Sequence, residues 1–206
     1  MKNALIIFTK NAILGKVKTR LSKDLGEMET LKFYQELMKM TRNECLQVEA
    51  DIHLFYSTEI IQNDLWTHPK ISKHVQLNSD NLGDRMIHAF DKMFQMGYCQ
   101  VVIIGTDCPY LTGATINEAF NYLSNNELVI GPAKDGGFYL LGAKSPESLN
   151  FSNIAWSTSH VLSTFLENIA YQSTTIEMLN IMEDIDTIDD YNRYLKFLNS
   201  VNSNNL

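Results

Sequence analysis

No apolar run in this chain is long enough to cross a bilayer. The opening stretch Ala4–Thr9 is apolar but too short for a signal peptide, and no small-residue cleavage site follows it. It reads as a strand, and a soluble cytoplasmic protein is the expectation. Cysteine is sparse: Cys45, Cys99 and Cys108 form neither a CxxC pair nor a zinc spacing. An odd count without a framework fits reduced thiols in a reducing compartment. Basic charge is in deficit. With 17 Lys and Arg against 24 Asp and Glu, the formal net charge is -7, which argues against non-specific nucleic-acid binding. The chain also lacks a GxSxG elbow, an HExxH pair, a Walker A loop and a GxGxxG turn. The five histidines show no paired metal spacing, and His53 reads as structural.

What is present is 206 residues, 45% hydrophobic and 20% charged, enough for one compact domain over 1–206. Strand-like and helix-like runs alternate. Strands are expected at Ala4–Thr9, Asp51–Ser57, Val75–Leu77, Gln100–Gly105, Glu127–Gly131, Phe138–Ala143 and Thr174–Ile176. Helices are expected at Glu29–Val48, Gly83–Met96, Thr112–Ser124 and Ser157–Ala170, and after a capping box at Thr187–Asp190. Ser57 or Thr58 is a candidate helix cap. The Asn/Ser-rich tail from Asn199 is expected to fray. The alternation predicts a three-layer α/β/α domain around a mostly parallel sheet.

Four segments carry candidate chemistry. The strand Gln100–Gly105 ends at Thr106, Asp107, Cys108 and Pro109. Ligands of open α/β sheets bind at the carboxyl ends of strands. A carboxylate there is well sited for Mg²⁺ or Mn²⁺, although Asp107 would also serve as a helix cap. Cys108, with no histidine partner, reads as a small packing residue.

The loop after the first strand opens at Thr9 and gathers Lys10, Lys16, Lys18 and Arg20 within eleven residues of an acidic protein. That is a candidate phosphate grip. Gly83, Asp84 and Arg85 sit at a helix start. Asp84 is a natural cap, while Arg85 opposes the helix dipole and invites another role. Lys134, Asp135, Gly136 and Gly137 form a loop before a strand; it is either a plain Asp-Gly hairpin or a surface shaped for close ligand approach. Late in the chain, Asp184 and Asp186 alternate along an extended segment, so both face one side and can join Asp107 around a cation. They also suit the N-terminus of the last helix.

Taken in order, the basic loop, Gly-Thr-Asp-Cys-Pro, Gly-Pro-Ala-Lys-Asp-Gly-Gly-Phe-Tyr-Leu-Leu-Gly and Asp-Ile-Asp-Thr resemble a bacterial family of small GT-A-type nucleotide-diphospho-sugar transferases, DUF2064. The chain is similar at greater distance to phospholactate and molybdenum-cofactor guanylyltransferases. The resemblance implies a Rossmann-like GT-A fold and a divalent metal held by Asp107 with Asp184 and Asp186, Asp186 being the preferred second ligand. It implies phosphates gripped by Lys16, Lys18 and Arg20, and a nucleotide pocket lined by Gly83, Asp84 and Arg85. Thr9, Lys10 and Thr106 complete the nucleotide-binding set. Asp135, Gly136, Gly137 and Tyr139 would face the transferred group or acceptor. Trp156 would stack on a sugar or sit in the core. The first loop departs from the pattern of many nucleotidyltransferases in having only Gly15.

The expected function is a transferase that uses a nucleotide-activated sugar on an unknown small acceptor. Asp107, Lys16 and Arg20 would steady the leaving nucleotide, and Asp135 would serve as base. Alternatives are a nucleotidyltransferase joining a nucleoside triphosphate to a small phosphorylated acid or cofactor, and a non-catalytic nucleotide binder.

Overall fold

The computed structural model describes residues 2–170 and 174–203. Its elements are β1 (Asn3–Thr9), α1 (Thr19–Leu25), α2 (Glu27–Cys45), β2 (Asp51–Tyr56), β3 (Ile71–Val75), α3 (Leu82–Gln95), β4 (Gln100–Ile104), α4 (Gly113–Leu123), β5 (Leu128–Pro132), β6 (Phe138–Ala143), α5 (Val161–Ile169), β7 (Ile176–Met178) and α6 (Ile188–Ser203).

The strands form one sheet in the order β3-β2-β1-β4-β6-β5-β7. Pairings are parallel except at β6, which runs antiparallel to β4 and β5. All five residues of β4 are buried, as befits a central strand covered on both faces. One face packs Tyr34 and Met38 of α2 with Ile116 and Phe120 of α4. The other packs Met86 and Phe90 of α3 with Phe165 of α5. This is the predicted α/β/α layering with a mostly parallel sheet.

From β1 the chain winds outward through β2 and β3, then crosses back to place β4 on the other side of β1. The loops after β1 and β4 therefore diverge and leave a crevice at their carboxyl ends, the switch point where such sheets bind ligands.

Helix starts follow their side chains. Asn81 Oδ1 accepts from Gly83 N at 2.8 Å, and Thr112 Oγ1 accepts from Thr115 N at 3.2 Å. Thr187 and Asp190 cap each other: Thr187 N donates to Asp190 Oδ2 at 2.7 Å, and Asp190 N donates to Thr187 Oγ1 at 3.3 Å.

Several boundaries differ from the sequence expectation. α1 arises inside the basic stretch read as loop. β3 lies at Ile71–Val75 rather than Val75–Leu77; it is an edge strand, so Val75 and Leu77 remain exposed despite their apolar character. No helix follows Ser57, because the Ser57 hydroxyl and Thr58 N both donate to Asn11 Oδ1. Asn81 rather than Asp84 caps α3; Asp84 accepts from Ser79 Oγ. α5 begins at Val161, not Ser157, since Ser157 adopts φ 64°. β7 starts at Ile176, and residues 171–173 just before the expected Thr174–Ile176 strand lie outside the described residues. The tail continues α6 to Ser203 instead of fraying at Asn199; residues 204–206 are outside the description.

Candidate active site

The switch-point crevice is organised around Lys18. Its Nζ lies 2.7 Å from Asp107 Oδ1 and 2.8 Å from Asp186 Oδ1, and its side chain is only 4% exposed. Burial alone would lower its pKa, but the charges of Asp107 and Asp186 outweigh that and raise it. Lys18 also adopts the left-handed conformation, φ 45° and ψ 48°, immediately before α1. A non-glycine residue there costs on the order of 1–3 kcal/mol, offset by its two ion pairs.

Tyr34 of α2 braces both edge loops. Its hydroxyl accepts from Lys10 N at 3.0 Å and shares hydrogen bonds with Thr9 Oγ1 (3.3 Å) and Thr106 Oγ1 (3.1 Å). The ends of β1 and β4 are thereby held at a fixed spacing. The late acids are tied to the same edge, because Ile185 N donates to Asp107 O at 3.1 Å. Asp184 and Asp186 sit on either side of that bond but in different surroundings. Burial pushes Asp186 up, yet Lys18 holds its carboxyl below the usual range. Burial, then the charge of Asp107, push Asp184 up to about 7.

Three cavities meet at these carboxylates. A basic one of about 260 Å³ is lined by Lys10, Lys18, Arg20, Tyr34, Asp107, Ser157 and Asp186. An apolar one of about 210 Å³ runs along Phe8, Leu82, Met86, Ile104 and Tyr139, with Asp107 and Asp184 at its polar edge. A third, about 260 Å³, is walled by Asp135, Glu183, Asp184, Asp186 and Asp190, with Arg20, Lys134 and Arg193. Asp107, Asp184, Asp186 and Arg20 each border two of the three, so the cavities form one branched cleft.

The structure brings together Lys10, Lys18, Arg20, Asp107, Asp135, Asp184, Asp186 and Tyr139. Other candidates stand outside the cavity walls. Lys16 is exposed on the loop and borders none of these three cavities. Thr9 and Thr106 are buried behind the cleft, holding Tyr34. Gly83 packs under Phe151 and Trp156, where an added Cβ would come within 2.8 Å of Phe151 Cβ. Its neighbours Leu82 and Met86 line the apolar cavity instead. Arg85 donates to Gln76 Oε1 at 3.0 Å, and Gln76 Nε2 donates to Phe55 O at 3.1 Å, so Arg85 braces the end of β2.

The Asp-Gly-Gly segment joins the antiparallel β5 and β6 and is a hairpin loop. Gly136, at φ 89°, lies against Ser159 O; a Cβ would approach to 2.1 Å, so only glycine fits. Gly137 N donates to Asp135 Oδ1 at 2.9 Å, orienting that carboxylate.

Trp156 is half-buried. Its Nε1 donates to Asn81 Oδ1 at 2.9 Å and its ring packs on Phe151. Cys108 is buried, and burial with the charge of Asp184 pushes its thiol up to about 12, so it stays protonated and unreactive.

Sequence reasoning missed Tyr34, which falls on a helical stripe indistinguishable from core, and Ser157, whose neighbourhood was read as helix. Arg193 was also missed. It sits one turn past the capping box and donates to Glu183 Oε1 at 2.6 Å.

Fold and cleft together define a transferase of the nucleotide-diphospho-sugar transferase architecture. Residues 41–158 match the model of the family described as "Uncharacterized protein conserved in bacteria (DUF2064)", more than half of the chain, and the protein belongs to that family. The matched span holds Asp107 and Asp135, while Lys18, Asp184 and Asp186 lie outside it.

A crystal structure from Desulfovibrio desulfuricans, provisionally described as a nucleotide-diphospho-sugar transferase, superposes with a TM-score of 0.85 at 29% identity. The match covers 93% of this chain and 86% of that one. A 4-diphosphocytidyl-2C-methyl-D-erythritol synthase from Anaerococcus prevotii gives 0.60 at 15% identity, covering 95% and 99%. A mannosyltransferase from Pyrobaculum calidifontis, solved with GDP-Man and Mn²⁺, gives 0.55 at 12%, covering 89% and 56%. The last two show the shared fold. No curated protein matches the sequence. Among the described residues, no helix is long and apolar enough to cross a membrane.

Proposed function

We propose that the protein transfers a sugar from a nucleotide-activated donor to a small acceptor with the help of Mg²⁺ or Mn²⁺. The observation that carries this reading is the basic cavity at the switch point, where Lys10, Lys18 and Arg20 face Asp107 and Asp186. A diphosphate needs positive charge and a cation that itself needs carboxylates; the cavity offers both within one wall.

Among the described residues, no group of three or more carboxylates, histidines or cysteines could hold a metal ion by itself, so the cation would depend on the donor's phosphate oxygens. Burial and then the charge of Asp107 raise the cost of charge on Asp184, which a bound cation would relieve. Asp107 and Asp184 would hold the ion, and phosphate and water oxygens would fill the rest of its shell. When bound, the ion offsets the negative charge that develops on the leaving nucleotide. Arg20 and Lys10 add fixed positive charge at the same leaving group. Tyr34 keeps the two edge loops at the spacing this contact requires.

The sugar reading is favoured over nucleotidyl transfer by the third cavity. Five carboxylates line it. Lys134 and Arg193 pair with Glu183, Arg193 also pairs with Asp190, and Lys18 pairs with Asp186, so the carboxylates left to accept hydrogen bonds from the hydroxyl groups of a sugar or acceptor are Asp135 and Asp184. Asp135, whose Oδ1 accepts from Gly137 N, would take the proton of an acceptor hydroxyl. The mannosyltransferase with GDP-Man and Mn²⁺ is a precedent for this pairing on the fold.

The test is thermal stabilisation against nucleotide sugars and nucleoside triphosphates, each with and without Mn²⁺. Metal-dependent stabilisation by a nucleotide sugar supports the reading. Stabilisation by a triphosphate alone, with pyrophosphate release in the presence of an acceptor, replaces it with nucleotidyl transfer. Absence of any response removes both.

A further inference from the structure

We propose that Lys18 is a built-in cation that fills one side of the carboxylate cluster and makes divalent-metal binding conditional on the nucleotide's phosphates. This rests on the functional reading for the identity of the nucleotide, but its central comparison does not use one.

Three features of the cleft converge. First, the ammonium group sits between two carboxylates, 2.7 Å from Asp107 and 2.8 Å from Asp186, and so already supplies a positive charge to both. Second, the group is not a surface lysine resting there. Its side chain is 4% exposed, and its backbone is held left-handed with the first turn of α1 beginning at the next residue. Swinging the ammonium out would break both ion pairs and vacate a packed position. Third, the remaining carboxylate, Asp184, has no lysine of its own and borders the apolar and acidic cavities rather than the basic one.

The charge count follows. Asp107, Asp184 and Asp186 supply three negative charges when ionised, and Lys18 returns one. A divalent ion in the cavity that Asp107 and Asp184 both line would be attracted by those carboxylates and repelled by the Lys18 ammonium, which lies 2.7 Å from Asp107 Oδ1. Unit charges at about 4 Å and an effective dielectric near 20 interact strongly enough to change an affinity by an order of magnitude or more. Two carboxylates opposed by an ammonium make a weak site. Phosphate oxygens reverse the balance, since they supply the missing ligands and are themselves attracted to Lys18, Lys10 and Arg20. Metal and nucleotide therefore bind as a pair, each raising the other's affinity by the same factor. Lys18 is in this sense a positioning residue: it acts on the metal through Asp107 and Asp186.

The experiment is Mn²⁺ titration followed by electron paramagnetic resonance of the free ion, on wild type and on Lys18→Met, both without nucleotide. Wild type is expected to bind Mn²⁺ weakly, and Lys18→Met at least about tenfold more tightly, because three carboxylates lose their internal counter-ion. Equal or weaker Mn²⁺ binding by a folded Lys18→Met overturns the proposal. Lys18→Gln removes the charge while keeping a hydrogen-bond donor, and is expected to shift affinity the same way; it serves if the methionine variant does not fold.

A second arm uses wild type alone with and without GDP and UDP. Mn²⁺ affinity that rises with a diphosphate supports the proposal. Tight Mn²⁺ binding that is indifferent to a bound diphosphate overturns it. Failure to bind any nucleotide overturns the functional reading, and the comparison of wild type with Lys18→Met still decides the role of Lys18.

Discussion

Two clusters of polar side chains lie inside this protein, and they are built in opposite ways. In the cleft, Lys18 pairs with Asp107 and Asp186 from a strained backbone position, and Asp184, its carboxyl pushed up to about 7 by burial and Asp107, faces two cavities. Across β2 and β3, beneath α3, Asp51, Tyr98, His53, His74 and Lys92 form a continuous chain. Tyr98 OH donates to Asp51 Oδ2 at 2.8 Å and pairs with His53 Nε2 at 2.9 Å. His53 Nδ1 meets His74 Nε2 at 3.0 Å, and Lys92 Nζ meets His74 Nδ1 at 3.0 Å. Every ring nitrogen of the histidine pair has a partner. Burial pushes both histidines down to about 4, so they are neutral near pH 7. A satisfied network rigidifies a core. One with an unanswered carboxylate at a cavity is prepared for something to arrive.

The largest expected effect that would break this contrast is on function. Asp107→Asn should abolish Mn²⁺-dependent stabilisation by nucleotide and cut transfer by a factor on the order of 100 or more, measured by thermal shift and by sugar release. Retention of both would put the cleft in the same structural class as the histidine chain.

The converse change is His53→Ala. It leaves His74 Nε2 without its partner, takes from the Tyr98 hydroxyl one of its two hydrogen bonds, and empties a buried position, and should cost about 2–3 kcal/mol in urea unfolding. Nucleotide affinity should not move. Loss of nucleotide binding at unchanged stability would overturn the structural assignment of this chain.

Acid sharpens the comparison further. The histidines titrate near 6.5 when unfolded and near 4 when folded, so the unfolded chain binds more protons between those values. Their contribution is complete above pH 6.5 and is lost as pH falls toward 4. The urea midpoint should therefore drop on going from pH 7 to pH 5, and drop less in His74→Gln. An unchanged slope would mean that other groups govern the acid limb.

Trp156→Phe is the smallest. It removes one hydrogen bond to Asn81 while keeping the ring on Phe151, and should lower stability by about 0.5–1.5 kcal/mol, seen as a melting shift of a few degrees.

Much of this was legible in local sequence because local sequence causes it. The buried run before Asp107 could only be a central strand, and the Thr187–Asp190 spacing fixes its own cap. That the lysine-rich loop would lie at the carboxyl edge of the sheet was legible from its position after the first strand, and there Lys10, Lys18 and Arg20 line one cavity. What escaped depended on distant partners. Nothing near Ser57 announces that Asn11 will use its hydroxyl. Val75 and Leu77 look like strand until β3 proves to be an edge. Lys18 reads as one of several equivalent lysines; its burial follows from carboxylates 89 and 168 positions away. Lys16 and Arg20 share its charge and neither is buried.

That separation has a consequence for how the protein is made. Lys18 emerges from a ribosome long before Asp186 does, at about 5–20 residues per second on the order of ten seconds or more earlier. Through that interval the left-handed turn before α1 lacks one of the two ion pairs that offset its strain. The first loop can adopt its final shape only when the segment leading into α6 has docked, with Ile185 bonded to Asp107. The cleft is thus incomplete until that segment docks, and a nascent chain can hold a nearly complete sheet while Lys18 still lacks its pairing with Asp186.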